Sequence, residues 1–228
     1  MKYQSAVENG ATKTLVAGEE ERQHAVLPVG KRIMDLFIAV PLLAFLSPLM
    51  LLIGILIKLQ DGGSMFFIQS RRGFRGEYFY CMKFRTMRTN AQEILELILE
   101  ADGALAAEWA ESQKLRNDPR ITFFGQFLRR TSLDELPQLL NIIRGEMSVV
   151  GPRPIVAEEV ARYQDDIAYY DSVRPGVTGL WQVEGRSDTS YDERVQFDTE
   201  YAENVSLLAD LTILLRTIPA VLLGRGAR

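Results

Sequence analysis

The sequence has almost none of the residues that form disulfides and histidine sites. It contains one cysteine and one histidine among 228 residues. The single cysteine, Cys81, excludes a disulfide within the chain and fits a reducing compartment. The single histidine, His24, lies in a polar N-terminal stretch. Its position argues against histidine-based catalysis and against a histidine-rich metal site.

A large net charge and repeated sequence are also absent. The formal net charge is -4, so the composition does not indicate a nucleic-acid-binding protein. Because 47% of the residues are hydrophobic and 25% are charged, the composition excludes an extended disordered chain and a bundle of many membrane spans. The charges alternate in blocks, basic in residues 65–90 and 113–153 and acidic in residues 91–112 and 154–203.

One segment, residues 36–57, lacks charge altogether and is strongly apolar. A helix of that length would measure about 33 Å, and a bilayer core is about 30 Å thick. Length and hydropathy alone therefore predict a single spanning helix. The run begins too late and is too long to be a cleaved signal peptide.

Prolines inside this run favour a helix that enters one leaflet and returns. Pro41 and Pro48 each remove a backbone hydrogen bond and kink a helix. Ser47, directly before Pro48, could satisfy a freed carbonyl. We therefore predict a re-entrant membrane helix over residues 31–59, broken at Ser47-Pro48 and preceded by a flexible tail over residues 1–30.

The charges around the run support the re-entrant prediction. Basic residues flank both ends, and the positive-inside rule therefore accepts both ends on the cytoplasmic side. Asp35 lies one turn inside the N-terminal end, where a carboxylate is costly unless it is paired. Lys31 and Arg32 precede it at helical spacing, so we predict a local ion pair.

The rest of the chain, residues 60–228, is predicted to be mainly α with a small β-hairpin. Aromatic and apolar stretches at residues 65–70 and 78–84 flank a glycine-containing connection, which is typical of a hairpin. Apolar periodicity predicts helices over residues 91–112, 121–130, 133–143, 154–170, 191–203 and 205–223. The last helix is apolar but interrupted by polar residues, so it suits either an interfacial membrane helix or a core helix.

Two adjacent carboxylates, Asp134 and Glu135, lie at the predicted start of the 133–143 helix. Ser132 as N-cap with Glu135 three residues later would form a capping box, which is a purely structural role. Alternatively, one carboxylate attacks phosphorus as a nucleophile and the other holds a hard divalent cation such as Mg²⁺. Phosphoryl transfer also needs surrounding positive charge. Candidates for that charge are Lys83, Arg85, Arg129 and Arg153.

Residues 174–186 form a second candidate loop. Its glycines permit close backbone approach to a ligand. Trp181 could stack on a base, and Gln182 could contact polar edges of a ligand. The alternative is a turn-rich loop in which Trp181 packs as a core residue.

Together these motifs resemble the bacterial polyprenyl-phosphate hexose-1-phosphate transferases, the monotopic sugar transferases that initiate exopolysaccharide synthesis. The resemblance covers residues 31–223. Within the family, the chain is similar to the short galactosyl-phosphate transferases of succinoglycan-type synthesis, which lack the additional N-terminal spanning helices of larger members. The motifs that carry it are Lys31-Arg32 with Asp35, Ser47-Pro48, Lys83-Phe84-Arg85-Thr86-Met87, Ser132-Leu133-Asp134-Glu135-Leu136-Pro137-Gln138, Val150-Gly151-Pro152-Arg153-Pro154, and Arg174-Pro175-Gly176 through Gly185-Arg186.

The resemblance implies that a UDP-hexose, of galactose or glucose, donates hexose-1-phosphate to undecaprenyl phosphate and releases UMP. It implies Asp134 as the nucleophile that forms an aspartyl-phosphosugar intermediate, and Glu135 as a Mg²⁺ ligand. It also implies a catalytic domain over residues 60–228 on the cytoplasmic face of the bacterial inner membrane, with a membrane-associated helix at about residues 205–223. The residues expected to bind substrate are Arg72, Lys83, Arg85, Arg129, Arg153, Arg174, Gln182 and Arg186.

Two other interpretations stay open at this point. A membrane-anchored glycosyltransferase would move the sugar without its phosphate and would release UDP. A single-pass scaffold without enzymatic activity would not need Asp134. The expected partners are a UDP-sugar, undecaprenyl phosphate and membrane lipid, with no nucleic acid, and the apolar helices leave room for a homodimer.

Overall fold

The computed structural model describes residues 29–112, 115–184 and 189–222, and this part of the chain is mainly helical, as predicted. The tail predicted over residues 1–30 lies almost entirely outside the described residues, as does Arg186. The α-helices are α1 (Val29–Asp61), α2 (Ala91–Ala101), α3 (Gly103–Ser112), α4 (Phe123–Arg130), α5 (Gln138–Arg144), α6 (Val160–Tyr163), α7 (Ile167–Asp171), α8 (Leu180–Glu184), α9 (Tyr191–Glu203) and α10 (Leu207–Leu222).

Within the described residues, four short strands form two separate pairs. The predicted hairpin is confirmed as β1 (Phe66–Arg72) and β2 (Tyr78–Phe84), which pair antiparallel. A second pair, β3 (Ser148–Val150) and β4 (Gly176–Thr178), runs parallel and was not predicted. Strands of this length are too short for a pattern of alternating side chains to reveal them.

Helix α1 runs without interruption through Pro41 and Pro48. The Ser47 hydroxyl donates a hydrogen bond of 2.9 Å to the Ala44 carbonyl. This is the carbonyl that an amide at position 48 would bond in a helix, and Pro48 has no amide hydrogen to donate. The helix does not end at Ser47-Pro48, so the break proposed there stays a prediction. Among the described residues, α1 is the one helix long and apolar enough to cross a membrane.

Both ends of α1 pack against the same body of the protein. Near the N-terminal end, Ala39 lies in a buried cluster with Ile142 of α5. Near the other end, Ile53 and Ile57 lie in a second buried cluster with Leu128 of α4. The side chains between these two contacts are apolar and mostly exposed, and they present a continuous hydrophobic surface.

Lys31 attaches the start of α1 to the C-terminal part of the chain. Its ammonium group donates hydrogen bonds to Asp210 Oδ2 at 2.7 Å, to the Tyr201 hydroxyl at 2.9 Å and to the Val150 carbonyl at 2.9 Å. The Lys31 and Asp210 side chains are 3% and 0% exposed. Buried charges need a partner, so the Lys31–Asp210 pair holds α1 against α10. The contact with the Val150 carbonyl adds the end of β3 to this junction.

The local ion pair predicted for Asp35 is wrong. Its Oδ1 atom accepts hydrogen bonds from the Ser148 hydroxyl at 2.8 Å and from the Val149 amide at 2.9 Å. Arg32 instead donates to the carbonyls of two residues at the end of α5. The helix packs these side chains into the protein, so distant backbone and side-chain groups replace the neighbours available in an isolated helix.

Several predicted helices are divided in the structure. The helix predicted over residues 91–112 is two helices that meet at Asp102, whose carboxylate accepts the Ala104 amide at 2.8 Å. The helix predicted over residues 154–170 consists of α6, α7 and single turns of 3₁₀ helix, with a positive φ of 47° at Gln164. Apolar spacing locates such segments but does not reveal interruptions that local hydrogen bonds create.

Helix α10 packs one face on the protein and exposes an apolar face. Ile213 and Asp210 are buried, whereas Leu208 and Leu215 are 75% and 61% exposed. The helix thus contributes to the core and also presents a surface suited to lipid. Its membrane association stays a prediction.

Candidate active site

The two adjacent carboxylates lie on a single 3₁₀ turn, Leu133–Glu135, between α4 and α5. Ser132 precedes this turn with φ of 55°, in the left-handed region, and its side chain makes no capping hydrogen bond. The predicted capping box is therefore wrong, because an N-cap residue needs an extended backbone. A left-handed serine is uncommon and needs support from its surroundings.

Apolar packing holds the turn in place. Leu133 and Leu136, on either side of the carboxylates, pack against the buried cluster that contains Phe84 and Leu128. Pro137 follows and is fully buried. The turn is thereby fixed against the apolar cluster that β2 and α4 share.

Lys83 of β2 contacts the second carboxylate directly. Its ammonium nitrogen lies 2.5 Å from Glu135 Oε1, and both side chains are about one quarter exposed, at 24% and 25%. Burial acts to raise the pKa of Glu135, but the charge and the hydrogen bond of Lys83 hold that pKa below its ordinary value. Glu135 is therefore an anion at neutral pH.

The first carboxylate has the opposite electrostatic character. Burial and the neighbouring negative charge of Glu135 raise the pKa of Asp134 to about 6, although Lys83 and Arg129 partly oppose that rise. Two adjacent acids thus differ in their readiness to ionise. Environments that push the pKa values of paired acids apart are characteristic of groups with separate chemical roles.

A small cavity opens beside Glu135. It is rich in positive charge, because two arginines and Lys83 face one acid. The described residues that line it are Arg71, Cys81, Lys83, Glu135, Gln138, Arg153, Pro154, Gly176, Val177 and Gln182. Such a lining suits a ligand with several negative charges, as a diphosphate has.

Close backbone contact between two loops places Arg153 at this cavity. The Gly151 amide donates to the Thr178 carbonyl at 2.8 Å, and the Gly176 amide donates to the Pro152 carbonyl at 2.8 Å. A Cβ atom added to Gly151 would lie 2.2 Å from the Arg174 carbonyl oxygen. Glycine is therefore required here, since any side chain would separate the loops.

Tyr170 fixes the same segment from behind. Its hydroxyl accepts the Ile155 amide at 3.2 Å, donates to the Arg72 carbonyl at 2.9 Å, and lies 3.3 Å from the Arg153 carbonyl. Tyr170 is 1% exposed. One buried hydroxyl thus connects the end of β1 to the backbone on both sides of Pro154.

The predicted site residues did not include Arg71, Cys81, Gln138 or Tyr170. Arg71 and Cys81 share one face of the hairpin with Lys83, because alternate residues of a strand point to the same side. That alternation could have identified Arg71. Its guanidinium donates to the Pro154 carbonyl at 2.9 Å. The contribution of Tyr170 depends on a distant contact that no local pattern contains.

Known bacterial proteins are similar to this chain over most of its length. The sequence model of the bacterial sugar transferases matches residues 26–224. The chain belongs to the bacterial sugar transferase family. It is 52% identical over 206 residues to the exopolysaccharide production protein ExoY of Sinorhizobium fredii, covering 89% of this chain and 91% of that protein.

Two further relatives carry names that specify a reaction. The undecaprenyl-phosphate galactose phosphotransferase of Salmonella typhimurium is 48% identical over 197 residues, covering 86% of this chain and 41% of that protein. The UDP-glucose:undecaprenyl-phosphate glucose-1-phosphate transferase of Xanthomonas campestris is 40% identical over 202 residues, covering 85% of this chain and 39% of that protein. The family resemblance predicted from the motifs is confirmed.

The structure of this sugar transferase brings only part of the predicted substrate-binding set together. Lys83, Arg153 and Gln182 line the cavity beside Glu135. Arg129 lies close enough for Asp134 to raise its pKa, although burial lowers it overall, and its Nε donates to the Thr86 hydroxyl at 2.8 Å. Lys83 and Arg129 therefore place positive charge near Asp134, and Lys83 and Arg153 place it near Glu135, whereas Gln182 lines the cavity.

Three other predicted substrate-binding residues have partners within the protein. Arg72 forms a two-point ion pair with Asp171, with contacts of 2.8 and 2.6 Å. Arg85 pairs with Asp61 at the end of α1. Arg174 donates to the Gly145 carbonyl at 2.8 Å. Their proposed contacts with substrate stay predictions.

The donor atoms at the site fit a hard divalent cation held jointly with a phosphate. No group of three or more Cys, His, Asp and Glu side chains suited to a metal occurs in the described part of the chain. Mg²⁺ commonly needs only one or two protein carboxylates, with waters and substrate phosphate as its other ligands. Asp134 and Glu135 supply such carboxylates, and Lys83 already binds one Glu135 oxygen.

Proposed function

We propose that this protein transfers hexose-1-phosphate from a UDP-hexose, of galactose or glucose, to undecaprenyl phosphate, as the first step of exopolysaccharide repeat-unit assembly. The observation that carries the proposal is the pair of unlike carboxylates, Asp134 and Glu135, of which Glu135 lines a cationic cavity. The printed names of the relatives support the donor and acceptor. UMP is the proposed leaving group.

In the first step, an oxygen of ionised Asp134 attacks the phosphorus that bears the hexose. A phosphorus–oxygen bond to aspartate forms, and the bond to the oxygen bridging the two phosphates breaks. That bridging oxygen leaves with its electron pair on UMP. Lys83, Arg129 and Arg153 supply positive charge near the phosphates, which stabilises the charge that accumulates during transfer.

In the second step, a phosphate oxygen of undecaprenyl phosphate attacks the same phosphorus. The bond between phosphorus and Asp134 breaks, and the aspartate leaves as a carboxylate ready for another cycle. The lipid product carries the hexose through a diphosphate. Splitting the reaction into two displacements lets one set of cations serve both donors and acceptors of the phosphoryl group.

Mg²⁺ is proposed to bind at Glu135. When bound, it would neutralise negative charge on the donor diphosphate. Lys83 keeps Glu135 ionised, so the carboxylate is available to a cation at neutral pH. The charge of Lys83 also lowers the pKa of Asp134 and thereby favours its nucleophilic form.

We further propose that α1 is re-entrant and that the body lies on the cytoplasmic face of the inner membrane. Ala39 and Ile57, near the two ends of α1, both pack against one body. A helix that crossed the bilayer would place its ends on opposite sides. The exposed apolar middle of α1 and the exposed leucines of α10 would then contact lipid on the same side.

The reaction can be tested with membranes that contain the full chain. Labelled UDP-hexoses, undecaprenyl phosphate and Mg²⁺ are added, and the lipid product and the nucleotide are identified. A lipid-diphosphate-hexose with UMP supports the proposal, whereas UDP would indicate a glycosyltransferase. Asp134→Asn should abolish turnover while leaving the unfolding temperature unchanged. Unchanged function in that variant would favour a scaffold.

A further inference from the structure

We propose that Gln182 recognises the sugar of the donor, through a hydrogen bond that its side-chain oxygen Oε1 accepts from a hydroxyl of the hexose. The inference rests on the proposed function, because it assumes a UDP-hexose in the cavity. It assigns one atom of the protein to one part of the substrate. Gln182 would therefore determine which sugars the enzyme accepts.

The starting observation is an unsatisfied buried acceptor. Gln182 Nε2 donates a hydrogen bond of 3.0 Å to the Val177 carbonyl. Gln182 Oε1 is shielded from solvent and has no hydrogen-bond partner among the described residues. Exchanging the two amide atoms would place an oxygen against the Val177 carbonyl oxygen, so the present orientation is the favourable one. The unsatisfied atom is therefore an acceptor, and its natural partner is a ligand donor.

The surrounding loop holds this amide in place. Gln182 lies in α8, and its backbone amide donates to the Gly179 carbonyl at 3.1 Å. A Cβ atom on Gly179 would lie 3.1 Å from Gln182 Oε1 and 2.3 Å from the Gly151 carbonyl oxygen. The neighbouring Trp181 ring stacks with the Arg194 guanidinium, whose carbon lies 4.7 Å from the ring centroid. Such fixed geometry is what discrimination between similar hydroxyl groups requires.

The position of Gln182 favours the hexose over the nucleoside as its partner. Gln182 lines the same cavity as Lys83 and Glu135, and Glu135 directly follows Asp134, the residue proposed to attack phosphorus. The hexose is bonded directly to that phosphate, whereas the ribose and uracil lie beyond the second phosphate. A sugar hydroxyl is also a hydrogen-bond donor, which matches an unsatisfied oxygen.

A double-mutant cycle between the protein and the donor tests the assignment. Gln182→Met keeps a side chain of similar length but removes the acceptor, and it is assayed with UDP-hexose and with a series of deoxy-hexose donors. We expect kcat/KM for the full hexose to fall about tenfold in this variant, which is the upper range for one neutral hydrogen bond. For one deoxy donor, the wild-type protein should show a similar loss, and the variant should show no additional loss. Gln92→Ala, which alters an exposed glutamine on α2, is the matched control.

The possible results separate the inference from the proposed function. Coupling between Gln182 and one sugar hydroxyl supports the inference. Transfer by the wild type with independent effects for every deoxy donor would overturn it, and so would an equal loss of affinity for UMP, which points to the nucleoside. If the wild type transfers no hexose phosphate at all, the proposed function itself is wrong. Thermal unfolding of the Gln182→Met protein checks that its fold is retained.

Discussion

The charge of Lys83 should set the pH at which this enzyme loses activity. Lys83 faces Glu135 at 2.5 Å, and it lowers the pKa values of both Glu135 and Asp134. Only ionised Asp134 can attack phosphorus. Because burial and Glu135 raise the pKa of Asp134 to about 6, the ionised fraction should decrease within an accessible pH range.

The size of the effect follows from the pKa of about 6 for Asp134. One pH unit below its pKa, a carboxyl is about one tenth ionised, so kcat/KM should fall about tenfold for each further unit of pH. In Lys83→Met, the opposing positive charge is lost, and the acidic limb should move to higher pH. At pH values near 6, the variant should therefore lose more activity than at about pH 8.

The assay follows the rate of UMP release against pH at low donor concentration. Under that condition the rate is proportional to kcat/KM, whose pH dependence reports ionisation in the free enzyme. Arg162→Gln, which removes an exposed positive charge on α6, should leave the acidic limb in place. A wild-type rate that stays constant from about pH 8 to about pH 5 would refute the assignment of Asp134. A limb that moves to lower pH in Lys83→Met would refute the role given to Lys83.

Three further perturbations test the packing around the site. Lys31→Met should destabilise the protein by about 3–5 kcal/mol, because it leaves the Asp210 charge buried and unpaired, and adding Asp210→Leu should restore much of the loss in thermal unfolding. Asp198→Asn should become increasingly stabilising relative to wild type as pH rises from about 5 to about 8, since burial raises the pKa of Asp198 to about 7 and its ionisation disfavours the fold. Tyr170→Phe should raise the donor KM about threefold or more, because Arg153 loses a backbone support.

Each of these has a result that would contradict it. For the buried ion pair, a double variant as unstable as the single variant would show that the charge is not the cause. For Asp198, equal pH dependence of unfolding in both proteins would contradict the buried ionisation. For Tyr170, the matched control is Tyr191→Phe, which removes a buried hydroxyl that has no partner among the described residues. Equal effects of the two tyrosine variants on KM would contradict a specific support of Arg153.

The parts of the fold that sequence predicted well depend on regular local patterns. The hairpin over β1 and β2 and the helix α9 lie close to their predicted positions. Aromatic and apolar stretches around a glycine-containing connection mark the hairpin, and an apolar repeat sustained over several turns marks the helix. The parallel contact between β3 and β4 could not be predicted, since each strand is short and its partner is distant. Asp35 illustrates the same limit, because its partners lie on β3 rather than in its own helix.

The site residues could be predicted where the functional side chains are adjacent in the sequence. Asp134 and Glu135 are consecutive, so their presence could be recognised, but the left-handed Ser132 that replaces the capping box could not. Lys83 and Arg153 were predicted as cations near phosphate, and they do line the cavity. Their positions depend on glycine contacts and buried hydroxyls between loops, which only the folded chain brings together.

The central claim is that Asp134 becomes covalently bound to the hexose phosphate. The most direct measurement incubates the purified full-length protein with a UDP-hexose and Mg²⁺ in the absence of undecaprenyl phosphate. The account predicts release of UMP, at most one equivalent per protein, together with a hexose-phosphate adduct that mass spectrometry locates on Asp134. Adding undecaprenyl phosphate should remove that adduct and form the lipid product. Transfer to lipid by the wild type with no adduct, or transfer that persists in Asp134→Asn, would contradict the account.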